Sequence, residues 1–225
     1  MLVIVQARMS SRRVPGKVLR KIAGRPILQW TLERIQRATS VSNLVVATSA
    51  LSEDDPIECL CRKLSVKCFR GDLNDVRSRY IEITRNERSC KFVRICADSP
   101  LIDPALIDQG VSIALKGSFD LVTNVLTRSF PVGQSVEVVS TQALLKMAEI
   151  AIEPEDKEHV TIGFYKENTN YNIRSFSHNR NFGNVQLAVD TEQDIRNISQ
   201  IVELVDAMAA GWEELVVQSQ SISLR

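Results

Sequence analysis

Seven cations, Arg8, Arg12, Arg13, Lys17, Arg20, Lys21 and Arg25, precede the first acidic residue, Glu33, in a chain whose net charge is only +1. Most lie in the segment QARMSSRRVPGKVL, where Ser10 and Ser11 add hydroxyls and Gly16 lets backbone approach closely. Guanidinium, ammonium, hydroxyl and backbone N–H donors together are what surround phosphate oxygens, so the segment predicts a di- or triphosphate ligand held by Arg13 and Lys17. The alternative is a solvated basic loop, the commoner fate of a charge run. The pattern is neither a Walker A loop, since Ser11 stands where the first glycine belongs and Val18 follows Gly16-Lys17, nor a dinucleotide fingerprint, since no GxGxxG occurs.

Asp98 closes the run KFVRICAD and Asp190 closes VQLAVD. Two carboxylates are what Mg²⁺ commonly takes from a protein, with phosphate oxygens and water completing its octahedron. Each aspartate also precedes a helix that it could simply cap. Asp72, Asp75 and Arg79 in RGDLNDVRSRY could contact a ribose or only shape a helix entrance. Glu158 and His159 lie in an expected helix, EDKEHVTIGFY, where a single histidine is more often a packed or surface residue than a base. Serine hydrolase chemistry finds no GxSxG elbow.

These groups need a frame, and hydropathy supplies one. Short apolar runs at 2–5, 43–49 and 91–97 alternate with amphipathic stretches at 26–38, 55–64 and 75–85, and a further helix opens at Asp103-Pro104. This is a βαβα order with a parallel sheet covered on both faces. The basic segment follows the first strand, which is where open α/β sheets place their ligands. Beyond Phe119 the rhythm loosens: strands are expected near 120–125, 136–140 and 171–176, and helices near 141–151 and 155–167. A strand at 185–189 and a helix capped by Thr191 and Asp194, running to about residue 210, end the assigned part. The tail after Gly211 carries no assignment, and no repeat or linker marks a domain boundary.

At 225 residues, 44% apolar and 24% charged, the chain is an ordinary globular one that needs no disulfide or metal staple. The charge balance disfavours a nucleic-acid partner, and no run approaches the ~20 apolar residues that span a bilayer. The N-terminal apolar run is too short for a signal peptide core. Five cysteines, Cys59, Cys61, Cys68, Cys90 and Cys96, fit reduced thiols and a cytoplasmic location, and their spacing gives no zinc motif.

Together QARMSSRRVPGKVL, VVATS, FRGDLNDVRSRY, VRICADSPLIDP, VEVVS, EHVT and LAVDT resemble, in order and over about residues 1–205, the spore coat polysaccharide biosynthesis protein F family of cytidylyltransferases, relatives of the CMP-Kdo and CMP-sialic acid synthetases. The resemblance implies a single α/β domain over 1–225 with a three-layer nucleotidyltransferase fold, Rossmann-like and of the nucleotide-diphospho-sugar transferase type, built on a mixed, mainly parallel sheet. An irregular part near 126–178 would serve the acceptor and a homodimer contact. The activity implied is transfer of CMP from CTP to a sugar-like acceptor, with Mg²⁺. Carried over by residue, Arg13 and Lys17 take phosphates, and Arg8, Ser11, Asp75 and Arg79 lie at the nucleotide. Ala7, Thr48 and Ser49 line the base pocket, Asp98 and Asp190 hold the metal, and Glu137, Glu158 and His159 face the acceptor. The sequence departs from the family pattern at Ser10, Arg12, Ala97, Ser135 and Ile162, changes that bear on the acceptor more than on the nucleotide chemistry. A glycosyltransferase of similar fold would carry a DxD motif, which Asp98-Ser99-Pro100 does not supply; a degenerate nucleotide-binding protein is the other alternative.

Overall fold

The computed structural model describes residues 1–11, 13–150, 153–166 and 170–223. Arg12 and residues 151 and 167, where two helices are expected to end, lie outside them. β1 (Leu2–Gln6) leads through a loop and a single 3₁₀ turn at Lys17–Leu19 to a small ribbon, β2 (Lys21–Ile22) with β3 (Arg25–Pro26). Helices and strands then alternate: α1 (Ile27–Ile35), β4 (Asn43–Ser49), α2 (Asp55–Lys63), β5 (Lys67–Gly71), α3 (Val76–Asn86), β6 (Lys91–Cys96) and α4 (Pro104–Leu115). β7 (Leu121–Thr123), β8 (Glu137–Ser140), α5 (Thr141–Ile150), α6 (Pro154–Glu158), β9 (Ile173–Ser175), α7 (Glu192–Leu204) and α8 (Trp212–Ser223) complete the chain.

The main sheet runs β5-β4-β1-β6-β8-β7-β9, with β8 alone antiparallel to its neighbours β6 and β7. Its centre alternates cleanly. Val3 and Val5 enter the core on one face with α1 and α4, while Leu2 and Ile4 enter a second core with Val76, Tyr80 and Ile83 of α3. Apolar burial on both faces is what the continuous apolar runs required. Asp103 caps α4 by accepting from the Ala105 N–H at 2.8 Å, and Pro104 fills the first turn. The expected cap of α7 is a full capping box between Thr191 and Asp194.

Several elements differ from the sequence expectation. β5 pairs with β4 at the sheet edge, and its exposed Lys67 and partly buried Arg70 hide it from a hydrophobic pattern. The helix expected at 155–167 stops at Glu158, and a 3₁₀ turn follows at Ile162–Tyr165; the run Val160-Thr161-Ile162 is β-branched and costs helix stability, while Val160 and Phe164 turn into the second core. Residues 185–189 are extended but join no strand of the sheet, bonding instead to loops: the Leu187 N–H to Val132 O and the Val189 N–H to Asp98 O, each at 2.8 Å. Asp190 therefore ends a loop-bound segment, not a sheet strand.

The unassigned tail forms α8. Arg34, fully buried in α1, holds the approach to it by donating to the backbone carbonyls of Ala207, Met208 and Ala210, and also to Ile102 O at 2.7 Å. Asp103 Oδ2 accepts from the Trp212 N–H at 2.7 Å, and the Trp212 ring packs edge-on against Phe130 at 5.3 Å.

Candidate active site

A cleft of about 870 Å³ opens over the carboxyl ends of β1 and β6, and nine of the residues singled out in the sequence line it: Ala7, Arg8, Ser11, Arg13, Lys17, Asp98, Glu158, His159 and Asp190. The loop that delivers the cations is closed on itself. Met9 O accepts from Ser11 N at 2.8 Å and from Gly16 N at 3.0 Å, and Gly16 sits at φ 66°, a left-handed conformation that suits glycine. The Gly16 amide thus braces the loop and is spent before any phosphate arrives. The turn it makes starts the 3₁₀ helix that aims Lys17 inward.

Lys17 Nζ lies 2.8 Å from Asp98 Oδ2 and 3.6 Å from Asp190 Oδ1, and Arg13 Nη2 donates to the same Asp190 oxygen at 2.8 Å. Two carboxylates that are far apart in sequence therefore face one ammonium. At the other side of the cleft Arg8 Nη2 donates to Glu158 Oε1 at 2.7 Å, and His159 follows at the end of α6. Among the described residues no group of three or more His, Cys, Asp or Glu side chains could hold a metal ion. Two carboxylates beside a cluster of cations nevertheless match what Mg²⁺ asks of a protein when a polyphosphate supplies further oxygens.

The other five predicted residues stand behind the wall. Thr48 and Ser49 are fully buried. Ser49 Oγ and N–H both bind Asp54 Oδ2, at 2.5 and 3.0 Å, and Asp54 Oδ1 accepts from the Met9 N–H at 2.7 Å. Asp75 caps α3 through the Ser78 N–H, and buried Arg79 donates to the carbonyls of Asp72 and Leu73 at 2.6 and 2.8 Å. Both residues shape the turn whose Leu73 and Asn74 reach the cleft. Burial is the main influence on Arg79 and pulls its pKa down.

Glu137 is 3% exposed, and both of its oxygens are engaged. Arg94 Nη1 donates to Oε2 at 2.6 Å, Thr161 Oγ1 to Oε2 at 3.2 Å and Tyr165 OH to Oε1 at 2.6 Å. Burial, then the Glu137 charge, push the Tyr165 hydroxyl up, so it stays a donor. Arg94 itself lines the cleft floor, and its Nε, like the buried Tyr80 hydroxyl, has no hydrogen-bond partner among the described residues. Burial opposes its charge, but the fields of Cys96 and Glu137 outweigh that and push its pKa up.

Arg94, Asp54, Leu73 and Asn74 escaped the sequence reading. A lone charge inside the apolar run KFVRICA is the one signal that marks Arg94, because a strand covered on both faces does not carry an arginine without a reason. Asp54 sits in SEDDP among other acids and nothing local distinguishes it.

A mainly parallel seven-stranded sheet, with a basic loop after β1 and carboxylates beyond β6, defines a nucleotidyltransferase-type α/β protein. The solved CMP-2-keto-3-deoxy-manno-octonic acid synthetase in complex with CTP shares this fold at a TM-score of 0.71 and 17% identity, over 90% of this chain and 98% of that one. The cytidylyltransferase family pattern matches residues 2–216, and the chain belongs to that family. It is 30% identical to the spore coat polysaccharide biosynthesis protein SpsF of Bacillus subtilis, over 90% of this chain and 86% of the relative. A cytidylyltransferase of Leptospira borgpetersenii superposes with a TM-score of 0.94 at 27% identity, over 99% of this chain and 94% of that chain.

Proposed function

We propose that this protein transfers CMP from CTP to a sugar or sugar-like acceptor, releasing pyrophosphate, to make an activated precursor for a surface polysaccharide. The observation that carries the reading is Lys17, whose ammonium lies within 3.6 Å of both Asp98 and Asp190 at the mouth of a cleft entered by a basic loop. An acceptor oxygen attacks the α-phosphorus and the bond to pyrophosphate breaks. Negative charge then grows on the phosphoryl oxygens and the leaving group, and fixed cations aimed there lower the barrier. Arg13 and Lys17 fill that role by exchanging carboxylate for phosphate oxygens. Asp98 and Asp190 would hold Mg²⁺, which when bound supplies further positive charge opposite the phosphates. Arg8, Ser11 and the Leu73–Asn74 turn flank the nucleotide, with Ala7 at the end of β1 beside the base. Glu158, His159 and Arg94 face the acceptor, with Glu137 fixing Arg94 from behind. In this reading residues 1–225 form one nucleotidyltransferase domain, and the part near 126–178 contributes acceptor and homodimer contacts.

The test is the shift in thermal midpoint with CTP, UTP, GTP, ATP or dTTP, with and without Mg²⁺. A ligand that binds only the folded protein stabilises it by about 2.7 kcal/mol at 100 times its Kd. A magnesium-dependent shift with CTP, diminished in Asp98→Asn, is the expected result. No shift with any nucleotide, or the same shift in the variant, would overturn the assignment.

A further inference from the structure

The Asp98 and Asp190 carboxylates are carried by two loops that meet directly at one backbone bond, Val189 N–H to Asp98 O at 2.8 Å, and a second set of contacts braces that junction. Three consecutive residues, Val132, Gly133 and Gln134, touch both loops. On one side the Gln134 side chain bridges the loop that runs from Asp98 to α4: its Nε2 donates to Leu101 O at 2.7 Å and its Oε1 accepts from the Asp103 N–H at 2.8 Å. On the other side Val132 bonds to the segment that ends in Asp190, its N–H to Val185 O at 2.9 Å and its carbonyl to the Leu187 N–H at 2.8 Å.

Gly133 presses between the two. Its φ is +97°, and a Cβ there would lie 2.7 Å from the backbone N of Ala188. Only glycine allows the approach. Gln134 has no solvent exposure, and its own carbonyl accepts from Asn124 Nδ2 at 2.7 Å. A buried amide with both ends and its carbonyl paired has one available rotamer, because any other strands polar groups away from water.

We infer that Gln134 is a positioning residue for the divalent cation: with Val132 and Gly133 it locks the Asp98 loop to the Asp190 segment, so that both carboxylates meet one ion. The inference rests on the nucleotidyltransferase reading above. It differs from a purely structural role in what it predicts. Removing the bridge leaves the Val189–Asp98 backbone bond without its bracing, so the spacing of the two ligands loosens and metal-dependent binding should suffer beyond any loss of stability.

The experiment compares wild type, Gln134→Leu and Gln134→Glu, reading the Mg²⁺ concentration that gives half of the CTP-induced thermal shift, and Mn²⁺ binding in the presence of CTP by electron paramagnetic resonance. Leucine keeps the bulk and loses both bonds. Glutamate keeps the length and the acceptor for the Asp103 N–H; its second oxygen, held against Leu101 O away from water, takes a proton and donates less well than the amide, and this variant serves as the folded one if leucine does not fold. Loss of a partner that orients a metal ligand typically costs about 10- to 100-fold in metal affinity, and the half-point should rise by that factor in Gln134→Leu and by less in Gln134→Glu. CTP binding measured without metal should stay within about twofold of wild type, since the phosphate cations are untouched. A lower melting temperature with an unchanged metal half-point in the folded variants would overturn the positioning role alone. A wild-type protein that shows no metal-dependent CTP shift would overturn the nucleotide reading, and this inference with it.

Discussion

The cleft joins two kinds of ion pair. At its mouth the Arg13–Asp190 pair is open to water, with side chains 68% and 32% exposed, and Asp190 is shared with Lys17 Nζ at 3.6 Å. At its floor the Arg94–Glu137 pair is closed, at 16% and 4%, and is tied in by Tyr165 and Thr161. Exposed pairs contribute at most about 1 kcal/mol and exchange partners readily. Enclosed pairs do not, because separating them leaves a charge without water. Under the proposed function the mouth would trade its carboxylates for phosphate, whereas the floor would keep a fixed shape towards an acceptor.

The comparison can be broken most forcibly at Glu137. Glu137→Leu strands the Arg94 guanidinium, and removal of one member of a buried pair costs about 3–5 kcal/mol. The double change Arg94→Met/Glu137→Leu should recover most of that loss, as urea denaturation would read. A single variant as stable as wild type would mean that water reaches the floor and the contrast is false. Next in size is Lys17→Ala. It should lower kcat/KM by about 10²–10³-fold, the usual effect of one preorganised charge on a transition state. Its stability should fall by less than that of Glu137→Leu, because the Asp98 carboxylate left behind is 29% exposed and keeps access to water. A large loss of stability with little kinetic change would move Lys17 from the chemistry to the scaffold.

A smaller effect separates floor from mouth by hydrogen bonding alone. Tyr165→Phe removes the hydroxyl that donates to Glu137 Oε1 at 2.6 Å, and a bond to a charged group is worth about 1.5–3 kcal/mol. The loss should appear in denaturation, with the response to CTP unaltered. A changed CTP response would show that floor and nucleotide are coupled.

The two regions were also unequally legible in the sequence. The mouth was readable because its signals are local: a cation-rich segment after an apolar strand, and aspartates at the ends of two apolar runs. The scaffold around it followed from hydropathy, since Leu2–Gln6 and Lys91–Cys96 are buried on both faces and show it. Of the floor only Glu137 was readable, through the family resemblance, because Arg94, Glu137 and Tyr165 are brought together only by β6 pairing with β8 and by the turn after α6. Gln134 carries no local mark at all; its importance is made by Leu101 and Asp103, over thirty positions away. The run VQLAV failed for a related reason. Alternation reports an extended, half-buried segment, and it cannot say whether the partner is a strand or two loops.

The smallest prediction concerns the rim, where the Asp72 turn presents Leu73 and Asn74 to the cleft. Asp72 Oδ1 accepts from the N–H groups of Asn74 and Asp75 at 2.7 and 2.8 Å. The N–H groups of Asp75 and Asn74 hold its carboxyl below the usual aspartate range. A carboxyl whose pKa is lower folded than unfolded adds stability above the unfolded value, about 3.9, and loses it as pH falls through the folded value. Asp72→Ala should therefore melt slightly below wild type by a constant margin from pH 7 to about pH 5, and the two curves should converge below about pH 4 as wild type loses its advantage. Asp72→Asn, whose amide oxygen still accepts, should show a smaller margin at neutral pH, and its curve should meet wild type's in acid as wild type loses its carboxylate. If the alanine variant melts with wild type at every pH, the turn is held by Arg79 and backbone geometry instead, and the rim is as fixed as the floor.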